Sequence, residues 1–305
     1  MTTASQAFRE LTTASQAFRE RILHLGSEAS VLGIATDPDQ SAATRSDSRR
    51  ARPRVIFLNA GVLHRVGPHR LHVSLARQLA DSGFASLRLD LSGIGDSRGI
   101  PGALTFRASA VADTRAAMDQ MSADTGAARF VLFGLCSGAD NALATAQVDP
   151  RVVGLVLIDA PAYATTRARV RRLLQRARRL RGAGAKLRSC LAFLALRFRQ
   201  VARGLGQGSN APGTPAAPGR QSPPRAEYGA LLTQLLDRGV RILCVYSGAM
   251  GERYNHRDQI FEAFPALRGR LEVAFFPSAN HVFTELAQRS ELIATVRRWC
   301  GERFS

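Results

Sequence analysis

The sequence predicts an α/β architecture: a mostly parallel central sheet with helices on both faces and a helical cap insertion. Three observations predict it. Short continuous runs of Val, Ile, Leu and Phe alternate with stretches of helical spacing. Residues 160–225 break that rhythm, which then resumes. A strand over 129–134 runs straight into a glycine-flanked turn and a helix.

The elements follow in order. Ile22–Leu25 and Val31–Ile34 read as two antiparallel strands, and the polar stretch 37–53 as a loop. Arg54–Asn59 is a buried strand. Leu71, Leu75 and Leu79 place a helix over 69–82, with Gly83 as its stop. A strand over 85–91, a helix over 107–122 and the strand 129–134 come next. A helix over 138–147 and the strand Val152–Ile158 complete the first part. After the insert come a helix at 227–237, a strand at 240–246, a helix near 257–265, a strand at 271–276 and a helix at 284–300. Residues 21–160 and 227–305 therefore read as one core, and 161–226 as its cap. Residues 1–20 stand outside the core: 2–10 and 12–20 repeat the same nine letters, TTASQAFRE, too short for a solenoid unit.

Composition narrows the class. The 305 residues are 45% hydrophobic and 22% charged, a globular balance. No apolar run reaches a membrane span of about 20 residues. Cys136, Cys190, Cys244 and Cys300 are too scattered for a disulfide scaffold or a structural zinc site. The leading segment lacks the apolar stretch of a secretory signal, and Glu10 and Glu20 argue against a transit peptide, so a cytoplasmic protein is expected.

The net charge is +18, and it is localised. Residues 160–225 hold 15 Arg or Lys and no acid, leaving 27 basic against 24 acidic residues elsewhere. Residues 165–181 and 187–205 read as amphipathic helices, and 206–225, with nine Pro or Gly, as a loop. The cap either packs its apolar stripes on the body and solvates its arginines, or lies on an anionic membrane from the cytoplasmic side, or recognises an anionic substrate. Few aromatics and no binding motif speak against nucleic acid.

The turn is Gly134-Leu135-Cys136-Ser137-Gly138. Small residues two before and two after the centre allow a strained strand-to-helix elbow that exposes a nucleophile. Cys136 sits at that centre. Ser137 fails the spacing, since Leu135 and Ala139 flank it at two residues. A buried-hydrophobe role is assigned to Cys190, Cys244 and Cys300.

With Asn59-Ala60-Gly61-Val62, the turn Asp90-Leu91-Ser92-Gly93-Ile94-Gly95-Asp96-Ser97 and Asn280-His281, this elbow resembles the α/β-hydrolase superfamily. The resemblance is nearest to its serine-aminopeptidase/monoacylglycerol-lipase-like branch. The chain is also similar to hydrolases encoded with bacterial exopolysaccharide or exosortase loci. The likeness covers about residues 21–160 and 227–303. It differs from the family pattern at Ser92, where the family has arginine, and at Cys136, where it usually has serine.

The resemblance implies a nucleophile–acid–base order. His281, after the last strand, is the expected base. Glu252 is the first choice for the acid, with Asp258 and Asp159 as alternatives. The backbone N–H groups of Ser137 and of Val62 or Leu63 are the expected oxyanion donors. His64, His69 and His72 either line the pocket or cap the helix beginning near 69; His24 and His256 are expected at the surface. Cysteine elbows in relatives such as dienelactone hydrolases, polyhydroxyalkanoate synthases and thioesterase-like acyltransferases imply acyl transfer from a small or carrier-linked ester or thioester. The competing expectation is a catalytically silent fold that binds an anionic membrane or a partner through its cap. No cofactor or metal is expected. Gly93-Ile94-Gly95 lacks the third glycine of a dinucleotide loop, with Arg98 in its place.

Overall fold

In strand β5 (Phe130–Leu135) every side chain is buried. Phe130 and Leu132 enter one core, while Val131 and Phe133 enter the other. A strand covered on both faces needs this continuous apolar run. The computed structural model describes residues 18–26, 30–39, 52–99, 104–181, 222–251 and 253–304; for 175–181 it describes the backbone alone.

The sheet has eight strands in the order β1-β2-β4-β3-β5-β6-β7-β8. β1 (Phe18–Leu25) and β2 (Val31–Pro38) are antiparallel to each other, and β2 is antiparallel to β4 (Ser86–Leu89). β3 (Arg54–Phe57), β4, β5, β6 (Val152–Ile158), β7 (Arg241–Ser247) and β8 (Glu272–Phe276) run parallel. Helices α1 (Leu71–Asp81) and α7 (Leu286–Phe304) cover one face. Helices α2 (Phe106–Thr125), α3 (Ser137–Val148) and α5 (Arg225–Asp237) cover the other. Helix α4 (Thr166–Arg181) opens the cap, and the short α6 (Gln259–Ala263) follows β7. The cap positions 187–205 lie outside the described residues.

Helix α7 shows how the faces are sealed. Leu292, Val296, Trp299, Cys300 and Phe304 are each at most 6% exposed, and each large apolar side chain contributes about 1.5–3 kcal/mol on burial. The Phe304 ring lies over Gly154, where a Cβ would come within 2.7 Å of it.

Three expectations need correction. Strand β1 includes Phe18, so the last three residues of the second TTASQAFRE copy belong to the sheet. Glu20 accepts hydrogen bonds from Arg77 and Arg88, both at 2.9 Å, which ties β1 to α1 and β4. The helix expected from 69 starts at Leu71, because His69 and Arg70 both take positive φ. The helix expected to 265 stops at Ala263, since Phe264 precedes a proline and is pushed to φ −136°, ψ 80°. Gly83 ends α1 as expected, with φ 84°.

Candidate active site

The parallel strands point their C-terminal ends to one rim, and the chemistry gathers there. Cys136 follows β5 with φ 57° and ψ −118°, a left-handed-side conformation that non-glycine residues seldom take. The flanking glycines make it possible. A Cβ on Gly134 would fall 2.2 Å from the backbone of Gly138, and one on Gly138 would fall 2.7 Å from the Asn59 carbonyl. The Cys136 amide donates to Ile158 O at 2.9 Å, locking the elbow to β6. Cys136 is partly exposed, whereas Cys244 and Cys300 are buried. Burial pushes both of those thiols up to about 12, so they stay protonated and inert. Cys190 lies outside the described residues.

His281 follows β8. Its Nδ1–H donates to Asp159 Oδ2 at 2.7 Å. The hydrogen bond to Asp159, then one to the Cys136 side chain, drive its pKa up to about 10 despite partial burial. Phe283, fully buried at φ 51°, stacks edge-on against Phe276 and anchors this loop from below.

Asp159 stands at the end of β6 and is fully buried. Besides His281 it accepts from the Ser247 amide at Oδ1 and the Ser247 hydroxyl at Oδ2, both at 2.7 Å. The three donors satisfy a buried carboxylate that would otherwise be costly. Among the described residues the carboxylate beside His281 is Asp159, the third of the sequence alternatives. The end of β7 supplies the serine that holds it. Glu252 lies outside the described residues. Asp258 is exposed and precedes α6, where its carbonyl accepts the Phe261 amide at 3.0 Å.

The loop after β3 reaches the elbow from the other side. The Gly61 amide donates to Ser137 Oγ at 2.9 Å, and the Leu63 amide to Ala60 O at 3.1 Å. Those two amides are engaged, which leaves Val62, with its side chain 85% exposed, as the amide of this turn to set beside that of Ser137. Sequence reasoning missed both the Ser137 side-chain bond and the strut behind the loop. In that strut the Arg65 guanidinium meets Asp90 at 2.5 Å, Asp96 at 2.7 Å and His64 at 2.8 Å. Asp90 is wholly buried and also accepts from the Arg65 amide at 2.6 Å and Asn59 Nδ2 at 3.0 Å. His64, Asp90 and Asp96 cluster closely enough to ligate a metal, but the guanidinium already fills the centre of the cluster.

The other histidines divide. His72 is buried between Phe57 and Phe133, with ring centroids at 5.4 and 5.5 Å, and burial lowers it to about 4. It is a neutral core residue and neither a pocket wall nor a cap. His69 faces Thr284 Oγ1 at 3.1 Å, beside the His281 loop. His24 is exposed, as expected. His256 is not: it is 5% exposed and its Nε2 meets Glu262 at 2.8 Å.

Known proteins agree with this geometry at the level of fold. Residues 60–192 match the family described as serine aminopeptidase, S33. Among solved structures, a hypothetical protein of Pseudomonas aeruginosa is similar at 17% identity, covering 95% of each chain with a TM-score of 0.56. An esterase of Pyrococcus furiosus is similar at 13% identity, covering 95% of this chain and 92% of that one, with a TM-score of 0.55. A putative alpha/beta hydrolase of Agrobacterium tumefaciens follows at 15% identity, 93% and 96% coverage and a TM-score of 0.54. No curated protein sequence matches the chain. The chain has the α/β-hydrolase fold.

Proposed function

We propose that the protein is an acyl hydrolase or acyltransferase acting on an ester or thioester. Cys136 is the nucleophile, His281 the base and then the acid, and Asp159 the orienting carboxylate. The observation that carries this reading is the unbroken line from Cys136 through His281 to Asp159. The similarity to esterases in fold adds support.

The chemistry follows from the line. Asp159 fixes the His281 proton on Nδ1 and aims Nε2 at the thiol. A cationic imidazole beside a thiol favours the thiolate, so the pair is charged before substrate arrives. Sγ attacks the acyl carbonyl carbon, and the carbonyl oxygen takes the negative charge. The N–H groups of Ser137 and Val62 meet that oxygen; one such donor contributes about 3 kcal/mol to the transition state. The intermediate collapses to an acyl thioester on Cys136, and His281 gives its proton to the departing alkoxide or thiolate. Water, or another hydroxyl or thiol acceptor, then yields its proton to His281 and attacks the thioester, releasing product and restoring the thiol.

A screen of acyl esters and acyl thioesters against the protein and Cys136→Ala tests this. The reading expects turnover that disappears with the thiol. Turnover unchanged in Cys136→Ala sinks it, and no turnover of any ester or thioester, with Cys136 no more reactive to a thiol probe than Cys300, favours a silent fold.

A further inference from the structure

We infer that helix α4 is an interfacial helix, placed by its outward apolar stripe and its arginines on an anionic lipid surface. The helix is fixed to the body by its first turn. Thr165 Oγ1 accepts the Ala168 amide at 3.2 Å and donates to Glu262 at 2.6 Å. Asn255 Nδ2 donates to the Ala168 carbonyl at 2.8 Å.

That attachment settles which face looks outward. Ala168 is 3% exposed and Arg172, four residues on, shares its side. Val170, Leu173 and Leu174 lie on the opposite side and are 49%, 63% and 55% exposed. An amphipathic helix normally turns its apolar stripe to the core. Here the body is met by alanine and the stripe faces away. At 100° per residue, Arg169 borders the stripe on one edge and Arg171 lies on the other, where Arg167 is drawn to Glu262 at 3.4 Å. The helix carries eight arginines and no acid. Arginines flanking an apolar stripe match a layer that is apolar below and anionic at its surface, where the stems lie along the lipid and the guanidinium groups reach phosphate. No helix among the described residues is long and apolar enough to cross a membrane.

The helix begins seven residues after Asp159, on the same rim as Cys136. Resting on the proposed function, a lipid-bound helix at this rim holds the site close to acyl esters carried by the lipid.

The test is flotation of the full chain, made in Cys136→Ala so that binding is read without catalysis. Vesicles of phosphatidylcholine alone are compared with vesicles containing phosphatidylglycerol, at low and high salt. Recovery is expected only with phosphatidylglycerol and falls as salt rises. Arg169→Gln with Arg171→Gln should lower partition about thirtyfold. Leu173→Gln with Leu174→Gln should lower it about tenfold or more. In the wild-type background both pairs leave turnover of a water-soluble ester unchanged. Equal recovery on neutral vesicles, or full recovery of the leucine pair, overturns the inference. So does a leucine pair that melts lower without vesicles while the parent never floats, which assigns the stripe to residues 187–205 of the same chain. Absence of all turnover would end the proposed function and leave the flotation result standing.

Discussion

Replacing Asp159 with asparagine keeps the shape of the residue and removes its charge. The carboxylate now takes three donors, the Ser247 amide, the Ser247 hydroxyl and His281 Nδ1–H, each at 2.7 Å. An asparagine offers one oxygen and one NH2. The Ser247 amide is a fixed backbone donor and claims the oxygen. The NH2 then faces Ser247 Oγ, which can rotate to accept, and His281 Nδ1. His281 can accept there only by moving its own proton to Nε2, which presents an N–H to Cys136 where a lone pair is needed. A triad with its imidazole in the wrong tautomer loses about 10³- to 10⁴-fold in kcat. That is about 4–5.5 kcal/mol of barrier. Stability should fall by only about 1–3 kcal/mol, the range for a buried polar group with an imperfect partner. The assay is kcat/KM on the best ester or thioester, with a denaturant melt alongside. Glu252→Gln and Asp258→Asn should each stay within about twofold of wild type, since His281 Nδ1–H already donates to Asp159. Refutation would come from a folded Asp159→Asn protein with near-normal turnover, or from an equal loss in Glu252→Gln.

Three further outcomes follow from the same contacts. Gly134→Ala should yield no folded protein, because its Cβ would sit 2.2 Å from the Gly138 backbone; a soluble variant with a normal melt would contradict the elbow geometry. Arg65→Gln should cost about 3–5 kcal/mol in denaturant unfolding, since it leaves the fully buried Asp90 carboxylate without its guanidinium. His72 titrates from 6.5 when free but at about 4 when folded, so the unfolded chain binds more protons between those values. Stability should therefore fall as pH drops from 6.5 to 4, by about 3 kcal/mol in all, and His72→Leu should flatten that part of the profile.

The central strands were legible because they are covered on both faces. Runs such as RFVLFGL and VVGLVLI have no other use than a doubly covered strand, and the glycines at 134 and 138 mark a backbone approach that no side chain survives. Cys136 and His281 were legible for the same reason: each follows a core strand on a turn with fixed chemistry. The carboxylate was harder. The loop after β7 offers Glu252 and Asp258 in sequence, while Asp159 is a single acid after an apolar strand. Its burial was nonetheless a signal, for an acid placed directly after a core strand must find donors. Ser247 and the Ser137 hydroxyl carry no pattern, since a lone serine at a strand end reads the same whether or not it bonds. His72 read equally as a pocket residue or a helix cap from its neighbours in sequence, and only packing against Phe57 and Phe133 showed it to be core. The repeated letters misled too, because the end of the second copy pairs with β2.

The central claim is that Cys136 carries the acyl group. Mass spectrometry of protein quenched during turnover of a slowly deacylated ester or thioester reads this directly. The account predicts a mass increase equal to one acyl group on the peptide bearing Cys136, labile to hydroxylamine, absent from Cys136→Ala and accumulating in a His281→Gln variant only at a greatly reduced rate. Turnover with no adduct on Cys136, or an adduct on another residue that persists in Cys136→Ala, would contradict it.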